Sequence, residues 1–106
     1  MSYIYLIRND NEDTYKIGVT KNDPKKRLKQ LQTGSSSPLT LINFFQTQYP
    51  YRLETMLHNY FKLNNYNGEW YILNNNQVND FLNICDKFQQ HIIILLDNPF
   101  FSKNLK

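Results

Sequence analysis

The stretch "YIYLIRNDNEDTYKIGV", residues 3–19, decides the fold of this chain. Two runs rich in tyrosine and branched aliphatic residues, 3–8 and 15–20, flank the polar segment NDNEDT. This pattern predicts two antiparallel strands joined by a turn. The tyrosines then either pack in an ordinary hairpin or are positioned for chemistry, and the rest of the chain has to decide between these interpretations.

Strand alternation divides the side chains of this predicted hairpin into two sets. On the second strand, Lys16 and Gly18 share one face, whereas Tyr15 takes the opposite face. If Lys16 lies beside Tyr5 of the first strand, Tyr15 must point away. Only one of Lys16 and Tyr15 can therefore share a site with Tyr5.

A helix is predicted to begin at Pro24, because the preceding Asp23 can accept hydrogen bonds from the free amides of the first turn and proline suits the first helical position. The helix is expected to run to about Thr33 and to stop at Gly34. Its apolar stripe is narrow, and Arg27 lies at the edge of that stripe, so this arginine should be partly sheltered from solvent.

The segment 39–48, LTLINFFQTQ, is a strand candidate with imperfect alternation. A second helix is predicted from Pro50 to about Leu63, with a broad apolar face. Glu54 and His58, spaced i and i+4, flank that face.

The segment EWYIL, 69–73, is interpreted as a short final strand, and apolar residues at helical spacing predict a third helix over about 76–97. We predict an α/β (α+β) fold with a small three-stranded sheet, mixed or antiparallel, flanked by helices. One domain is expected over 1–106, with its core at about 3–73.

Composition limits the classes of protein to which the chain can belong. A single cysteine, Cys85, excludes an intramolecular disulfide, and two histidines make a closed zinc site improbable. The longest aliphatic run is too short to span a bilayer, and the start of the chain lacks the pattern of a secretory signal. We expect an intracellular, soluble protein, cytoplasmic or, if the source is eukaryotic or viral, nuclear.

The positive charges are concentrated near the start of the first helix. The formal net charge is +3, which is weak support for a polyanionic partner when taken alone. A lysine-rich helix face is often only solvated. The lysines concerned are Lys21, Lys25, Lys26 and Lys29.

Several motifs follow one another in an order that carries more information than any of them alone. They are Tyr-Ile-Tyr at 3–5, Tyr-Lys-Ile-Gly at 15–18, Arg27, Glu54 and Gly-Glu-Trp-Tyr at 68–71. This order resembles the GIY-YIG nuclease superfamily, in particular its short phage and viral branch, in which the second motif reads YKIG. The resemblance covers roughly residues 3 to 73.

The resemblance implies a metal-dependent DNA endonuclease that hydrolyses phosphodiester bonds by a one-metal mechanism. Tyr5 would be the general base or would orient the attacking water, and Lys16 would favour its phenolate, because a free tyrosine has a pKa near 10. Arg27 would hold the scissile phosphate. Glu54 would hold one Mg²⁺ or Mn²⁺ ion, only weakly in the absence of nucleic acid.

The resemblance leaves other positions less well defined. His58 and Tyr15 are further catalytic candidates, with Tyr15 and Lys16 competing for the second-motif position. The family's late asparagine has no clear match, and Glu69 and Asn67 are the nearest residues. DNA contacts are expected from Gly18 and from the lysines Lys21, Lys25, Lys26 and Lys29.

The same residues also allow other interpretations. Arg27 and Glu54 could form a structural salt bridge, and Glu54 with His58 could be a surface pair of little energy. The main functional alternative is a catalytically inactive GIY-YIG-like module that binds nucleic acid or protein. We expect DNA as the partner and no membrane, with a homodimer or a partner protein directing any targeting.

Overall fold

The computed structural model describes residues 1–97, so residues 98–106 of the predicted domain lie outside the described residues. A 3₁₀ turn at Lys62–Asn64 follows the second helix. The elements are β1 (Ser2–Asn9), β2 (Thr14–Thr20), α1 (Pro24–Thr33), β3 (Leu39–Thr47), α2 (Pro50–Tyr60), β4 (Asn65–Asn67), β5 (Trp70–Tyr71), α3 (Asn75–Asn79) and α4 (Phe81–Leu96).

The sheet has five antiparallel strands in the order β3-β1-β2-β5-β4, which makes an α+β fold. The predicted three-stranded sheet is therefore wrong. The strand predicted at EWYIL is present as the shorter β5, and it forms a hairpin with β4, which was not predicted. The two-residue turn of this hairpin is Gly68 and Glu69, with Gly68 at a φ of 57°. The side chain of Asn65 donates a hydrogen bond to the Gly68 carbonyl at 2.8 Å, which stabilises this turn. A glycine at the first position of a two-residue turn is a hairpin signal, and it predicts the strand β4 before it.

The predicted hairpin of β1 and β2 is confirmed, including its faces. Tyr5 is directly opposite Gly18, and Ile7 is opposite Lys16, so these side chains share one face of the sheet. Tyr15 takes the other face and is buried in the core.

The imperfect alternation of β3 has a structural cause. Leu6 of β1 pairs with Asn43, but the next residue, Ile7, pairs with Leu41. Ile42 is therefore an extra residue on β3, a β-bulge that reverses the alternation along the strand.

Both helix starts at proline are confirmed. α1 begins at Pro24, the Asp23 carboxylate accepts a hydrogen bond from the Lys25 amide at 2.9 Å, and the helix ends at Thr33 as predicted. α2 begins at Pro50 but ends at Tyr60, before the predicted Leu63, because the chain tightens there into the 3₁₀ turn.

The core lies between one face of the sheet and the helices α2 and α4. The predicted third helix is present but is divided at Asp80 into the short α3 and the long α4. Within residues 1–97, no helix combines the length and the apolar composition needed to cross a membrane. The most deeply buried apolar side chains of this core are Ile4, Leu6, Ile17, Leu53, Leu57, Phe61, Phe81 and Cys85.

Candidate active site

The candidate site lies on the face of the sheet opposite the core, and it is built around Tyr5. This side chain is 2% exposed, and its ring lies across the backbone of Gly18 on the neighbouring strand. A Cβ atom at Gly18 would be 2.3 Å from the Tyr5 Oη atom. Only glycine therefore leaves room for the tyrosine, and the hydroxyl position depends on this pair.

The Tyr5 hydroxyl lies beside Arg27 and near two carboxylates. Burial raises the pKa of Tyr5 above its ordinary value, whereas hydrogen bonding to Arg27 and the charge of Arg27 oppose this rise. The negative charges of Glu69 and Glu54 add to it. The phenol is therefore protonated at neutral pH, and the cation that acts on it is Arg27 rather than the expected Lys16.

Arg27 projects from α1 and is half-buried, as its place at the edge of the apolar stripe predicted. Its guanidinium donates a hydrogen bond to Gln30 Oε1 at 3.2 Å on the same helix. Among the described residues, no ion pair joins Arg27 to Glu54. The alternative of a structural salt bridge between these two residues therefore has no support.

Lys16 is held by the β4–β5 hairpin. Its amine lies 3.4 Å from Glu69 Oε2 and 5.7 Å from the centroid of the Trp70 ring. Only 14% of the Lys16 side chain is exposed. The positive charge is thus fixed in position beside the hairpin, with an acidic and an aromatic neighbour.

Glu54, His58 and Glu69 bring potential metal-ligand atoms together, all within 4.8 Å of one another. The Glu54 side chain is 22% exposed, and burial raises the pKa of its carboxyl group. The charge of His58 opposes this rise, and the neighbouring Glu69 carboxylate adds to it. Two carboxylates that repel each other, of which Glu54 is half-buried and Glu69 exposed, form a site that a divalent cation would stabilise.

His58 differs from the two glutamates in this group. Its Nε2 atom lies 3.0 Å from the carbonyl oxygen of Ile17 and 4.0 Å from Glu54 Oε2. Because a carbonyl oxygen only accepts hydrogen bonds, Nε2 carries the proton and donates the hydrogen bond to Ile17. That nitrogen is then not free to bind a metal ion, whereas Glu54 and Glu69 both offer carboxylate oxygens. Oxygen ligands of this kind suit Mg²⁺ and Mn²⁺.

A comparison with protein families gives a match to the T5orf172 domain over residues 2–86. This chain belongs to the T5orf172 domain family. The domain is found in phage and in related nuclease-like proteins. No curated protein and no solved structure matches the chain significantly.

Among the catalytic candidates of this T5orf172 domain, Tyr15 lies on the face of the sheet opposite to that of Tyr5. It is buried on the core face of β2 and pairs with Tyr71 of β5. Lys16, the next residue, shares the face of Tyr5 instead. Of the two, Lys16 is therefore the residue that lies on the face of Tyr5, and its catalytic role stays a prediction.

The basic cluster of this T5orf172 domain follows β2 and continues along α1, the helix that carries Arg27. All four of its lysines are exposed. Within residues 1–97 none of them forms an ion pair. The cluster consists of Lys21, Lys25, Lys26 and Lys29.

Glu69 is a site residue to which the sequence assigned no role. It was considered only as a possible match to the asparagine of the GIY-YIG family. The β4–β5 hairpin brings it to the site, and its carbonyl oxygen accepts a hydrogen bond from the Ile17 amide at 3.2 Å. Gly68 was the available signal, because a two-residue turn that begins at this glycine places Glu69 at the tip of a hairpin.

Proposed function

We propose that this T5orf172 domain is a GIY-YIG-like, metal-dependent DNA endonuclease that hydrolyses phosphodiester bonds with one Mg²⁺ or Mn²⁺ ion. The observation that carries the proposal is the convergence of four side chains from separate parts of the chain. The pKa of Tyr5 is shifted by three other side chains, which therefore lie near its hydroxyl: Arg27, Glu54 and Glu69. Such coupling of titratable groups is typical of catalytic sites.

In this proposal, Glu54 and Glu69 hold the cation. Their carboxylates, which meet in a partly buried place, provide hard oxygen ligands. When bound, the ion would supply positive charge against the charge that grows on the phosphoryl oxygens. Two carboxylates leave most of the coordination to water and to the substrate, so affinity for the ion should be low without DNA.

Arg27 is proposed to bind the scissile phosphate. Its planar guanidinium can donate two parallel hydrogen bonds to phosphate oxygens, which the amine of a lysine cannot do in the same geometry. Because Arg27 also lies beside the Tyr5 hydroxyl, a phosphate bound there would be next to the phenol.

Tyr5 is proposed to orient the attacking water and, in its phenolate form, to accept the proton of that water. Hydrolysis forms a bond between the water oxygen and phosphorus while the bond to the 3′ oxygen breaks. Burial keeps the phenol protonated, so the phenolate is at most about one molecule in a thousand at neutral pH. The reaction should therefore accelerate in alkaline solution.

The experiment is cleavage of supercoiled plasmid with Mg²⁺ or Mn²⁺, comparing wild type with Arg27→Ala and Glu54→Gln. We expect nicked or linear product from the wild type and a loss of at least about 100-fold in each variant. The matched control is Arg52→Ala, an exposed arginine of α2, which should cleave as the wild type does. Equal cleavage by all these proteins would refute the proposal and point to a contaminating nuclease.

A second candidate function is a catalytically inactive module that binds nucleic acid. The observation that favours it is the inward orientation of Tyr15, which leaves the second motif without a tyrosine on the site face. Salt-dependent binding of DNA without cleavage under any metal condition would support this alternative.

A further inference from the structure

A cleft of about 370 Å³ opens beside the candidate site, on the side of Lys16. Lys16 and Trp70 form one wall, and residues 35–37, three consecutive serines, form the facing wall. We call it the Lys16–Trp70 cleft. Its volume falls within the range of about 300–1,000 Å³ that is common for ligand sites. Lys16 and Trp70 belong to the motifs at 15–18 and 68–71, but the roles proposed for Tyr5, Arg27, Glu54 and Glu69 leave the cleft unassigned.

The serine wall of the cleft is held in one conformation by side-chain hydrogen bonds. The amide of Gln32 donates to the Ser37 carbonyl at 2.9 Å and accepts from the Leu39 amide at 2.8 Å. The Ser35 hydroxyl donates to the Ser37 carbonyl at 3.0 Å and accepts from the Ser37 amide at 3.1 Å. Ser36 stays exposed between them. A wall that is ordered before binding loses little entropy when a ligand arrives.

The opposite wall combines a cation with an aromatic ring. The Lys16 amine lies 5.7 Å from the Trp70 centroid and has three donors, of which the ion pair with Glu69 occupies one. Lys16 is the one cation among the described residues that line the cleft, where Glu12 adds a negative charge, so an anion would bind at Lys16 and the serine hydroxyls. A cation beside an indole ring matches the phosphate and the base of one nucleotide.

We propose that the Lys16–Trp70 cleft binds one unpaired nucleotide next to the scissile phosphate. The base stacks against Trp70, and its phosphate receives hydrogen bonds from Lys16 and Ser36. The inference rests on the proposed nuclease function, since Lys16 is only two residues along β2 from Gly18, about 7 Å, and so adjoins the Tyr5 site. A base that remains paired in a duplex is not free to stack on a side chain. The cleft therefore favours DNA with an unpaired or displaced nucleotide at the cleavage position.

The test uses Trp70 as its own reporter, because it is the only tryptophan of the chain. Wild-type protein in EDTA, where cleavage cannot proceed, is titrated with a five-nucleotide thymidine oligonucleotide and with a blunt duplex. Binding is followed in parallel by the anisotropy of a fluorescein label on each DNA. We expect saturable quenching of Trp70 by the single strand at concentrations where the duplex gives little. Binding of the single strand without any change in Trp70 emission would overturn the proposal, as would equal quenching by the duplex.

Two variants test the walls of the cleft by anisotropy alone. Trp70→Ala should weaken binding of the single strand about 5- to 150-fold, and Trp70→Phe should restore much of that loss. Tyr51→Ala, which removes an exposed aromatic side chain outside the cleft, should have no effect. Folding of each variant is checked by circular dichroism. Unchanged binding in a folded Trp70→Ala variant would overturn the proposal.

Plasmid cleavage separates this inference from the proposed function. Quenching of Trp70 by single strands in a protein that never cleaves would support the nucleotide subsite and refute the nuclease. Cleavage by Trp70→Ala at the wild-type rate, on both paired and unpaired substrates, would refute the subsite and leave the nuclease intact.

Discussion

Replacing Gly18 by alanine should destabilise the protein and displace the Tyr5 hydroxyl at the same time. The added Cβ atom would lie 2.3 Å from Tyr5 Oη and 2.4 Å from Cζ, whereas ordinary contacts begin at 3.4 Å. The hydroxyl would have to retreat by about 1.1 Å to reach that distance. Because Tyr5 is almost fully buried, its ring has no free space into which to move.

The expected loss of stability follows from this overlap. Forcing an extra methyl group into a packed interior costs about 1–3 kcal/mol. For a domain of this size, such a loss lowers the melting temperature by about 5–20 °C. Cleavage should fall further than stability, since a displacement of about 1 Å at a reacting group can cost about 100-fold in rate.

The assay is thermal unfolding followed by circular dichroism, arranged as a double-mutant cycle with Tyr5→Leu. Leucine lacks the ring atoms that overlap with the new methyl group, so Gly18→Ala should be nearly neutral in that background or slightly stabilising, because alanine is less flexible than glycine. The matched control is Gly34→Ala, where the nearest atom to an added Cβ is 3.9 Å away and φ is −92°. This control should be neutral or stabilising by about 0.4–1 kcal/mol.

Two results would refute the reasoning about Gly18. One is a Gly18→Ala variant that melts within about 1 °C of the wild type, which would mean that the ring accommodates the methyl group freely. The other is an equal loss of stability in the wild-type and Tyr5→Leu backgrounds, which would assign the effect to the strand backbone rather than to the tyrosine ring.

Four further predictions follow from the same structure. If Tyr5 acts as phenolate, its raised pKa means that cleavage should rise about tenfold per pH unit up to at least pH 9, and a plateau near pH 7 would exclude that role. Burial raises the pKa of Glu54 in the folded protein above its value in the unfolded chain, so protonation of Glu54 favours the folded state. This contribution to stability is complete below the pKa of Glu54 in the unfolded chain, and it is lost as pH rises through the pKa of Glu54 in the folded protein. Glu54→Gln should therefore gain melting temperature over the wild type at pH 7 but not at about pH 3.5, and equal differences at both pH values would contradict this. Burial raises the pKa of Cys85 to about 12, so Ellman's reagent should react with this thiol at pH 8 only on unfolding, and rapid labelling of the folded protein would disprove it. The last prediction replaces three lysines of the basic cluster by alanine: Lys25, Lys26 and Lys29. The slope of the logarithm of the binding constant against the logarithm of the salt concentration should then fall by up to about 2.7 on duplex DNA. An unchanged slope would show that these lysines do not contact phosphates.

The parts of the fold that the sequence predicted correctly are those with local signals. Asp23 and Pro24 define the start of α1 by hydrogen bonding and by ring geometry, and these causes act within one turn of helix. The assignment of Lys16 to the face of Tyr5 needed only strand alternation. Such features depend little on the rest of the molecule, which is why they could be predicted without it.

The features that the sequence missed depend on contacts between distant segments. Glu69 reaches Lys16 across 53 positions because β5 pairs with β2, and no local pattern around Glu69 states which strand its hairpin will join. The same pairing made the sheet five-stranded. Likewise, the cation beside Tyr5 is Arg27 rather than the expected Lys16 because of the way α1 packs, and the periodicity of the sequence does not specify that packing.

The middle of β2 connects the core and the candidate site so closely that neither can change independently. Ile17 is fully buried in the core, and its carbonyl oxygen accepts the hydrogen bond from His58, while its amide donates to the Glu69 carbonyl. Its neighbours Lys16 and Gly18 project to the opposite face and form the site. A shift of the β2 register by one residue would bury the lysine and expose the isoleucine, so the hydrophobic core enforces the register that the site requires. The positions of the catalytic candidates are thus determined by residues that have no part in the chemistry.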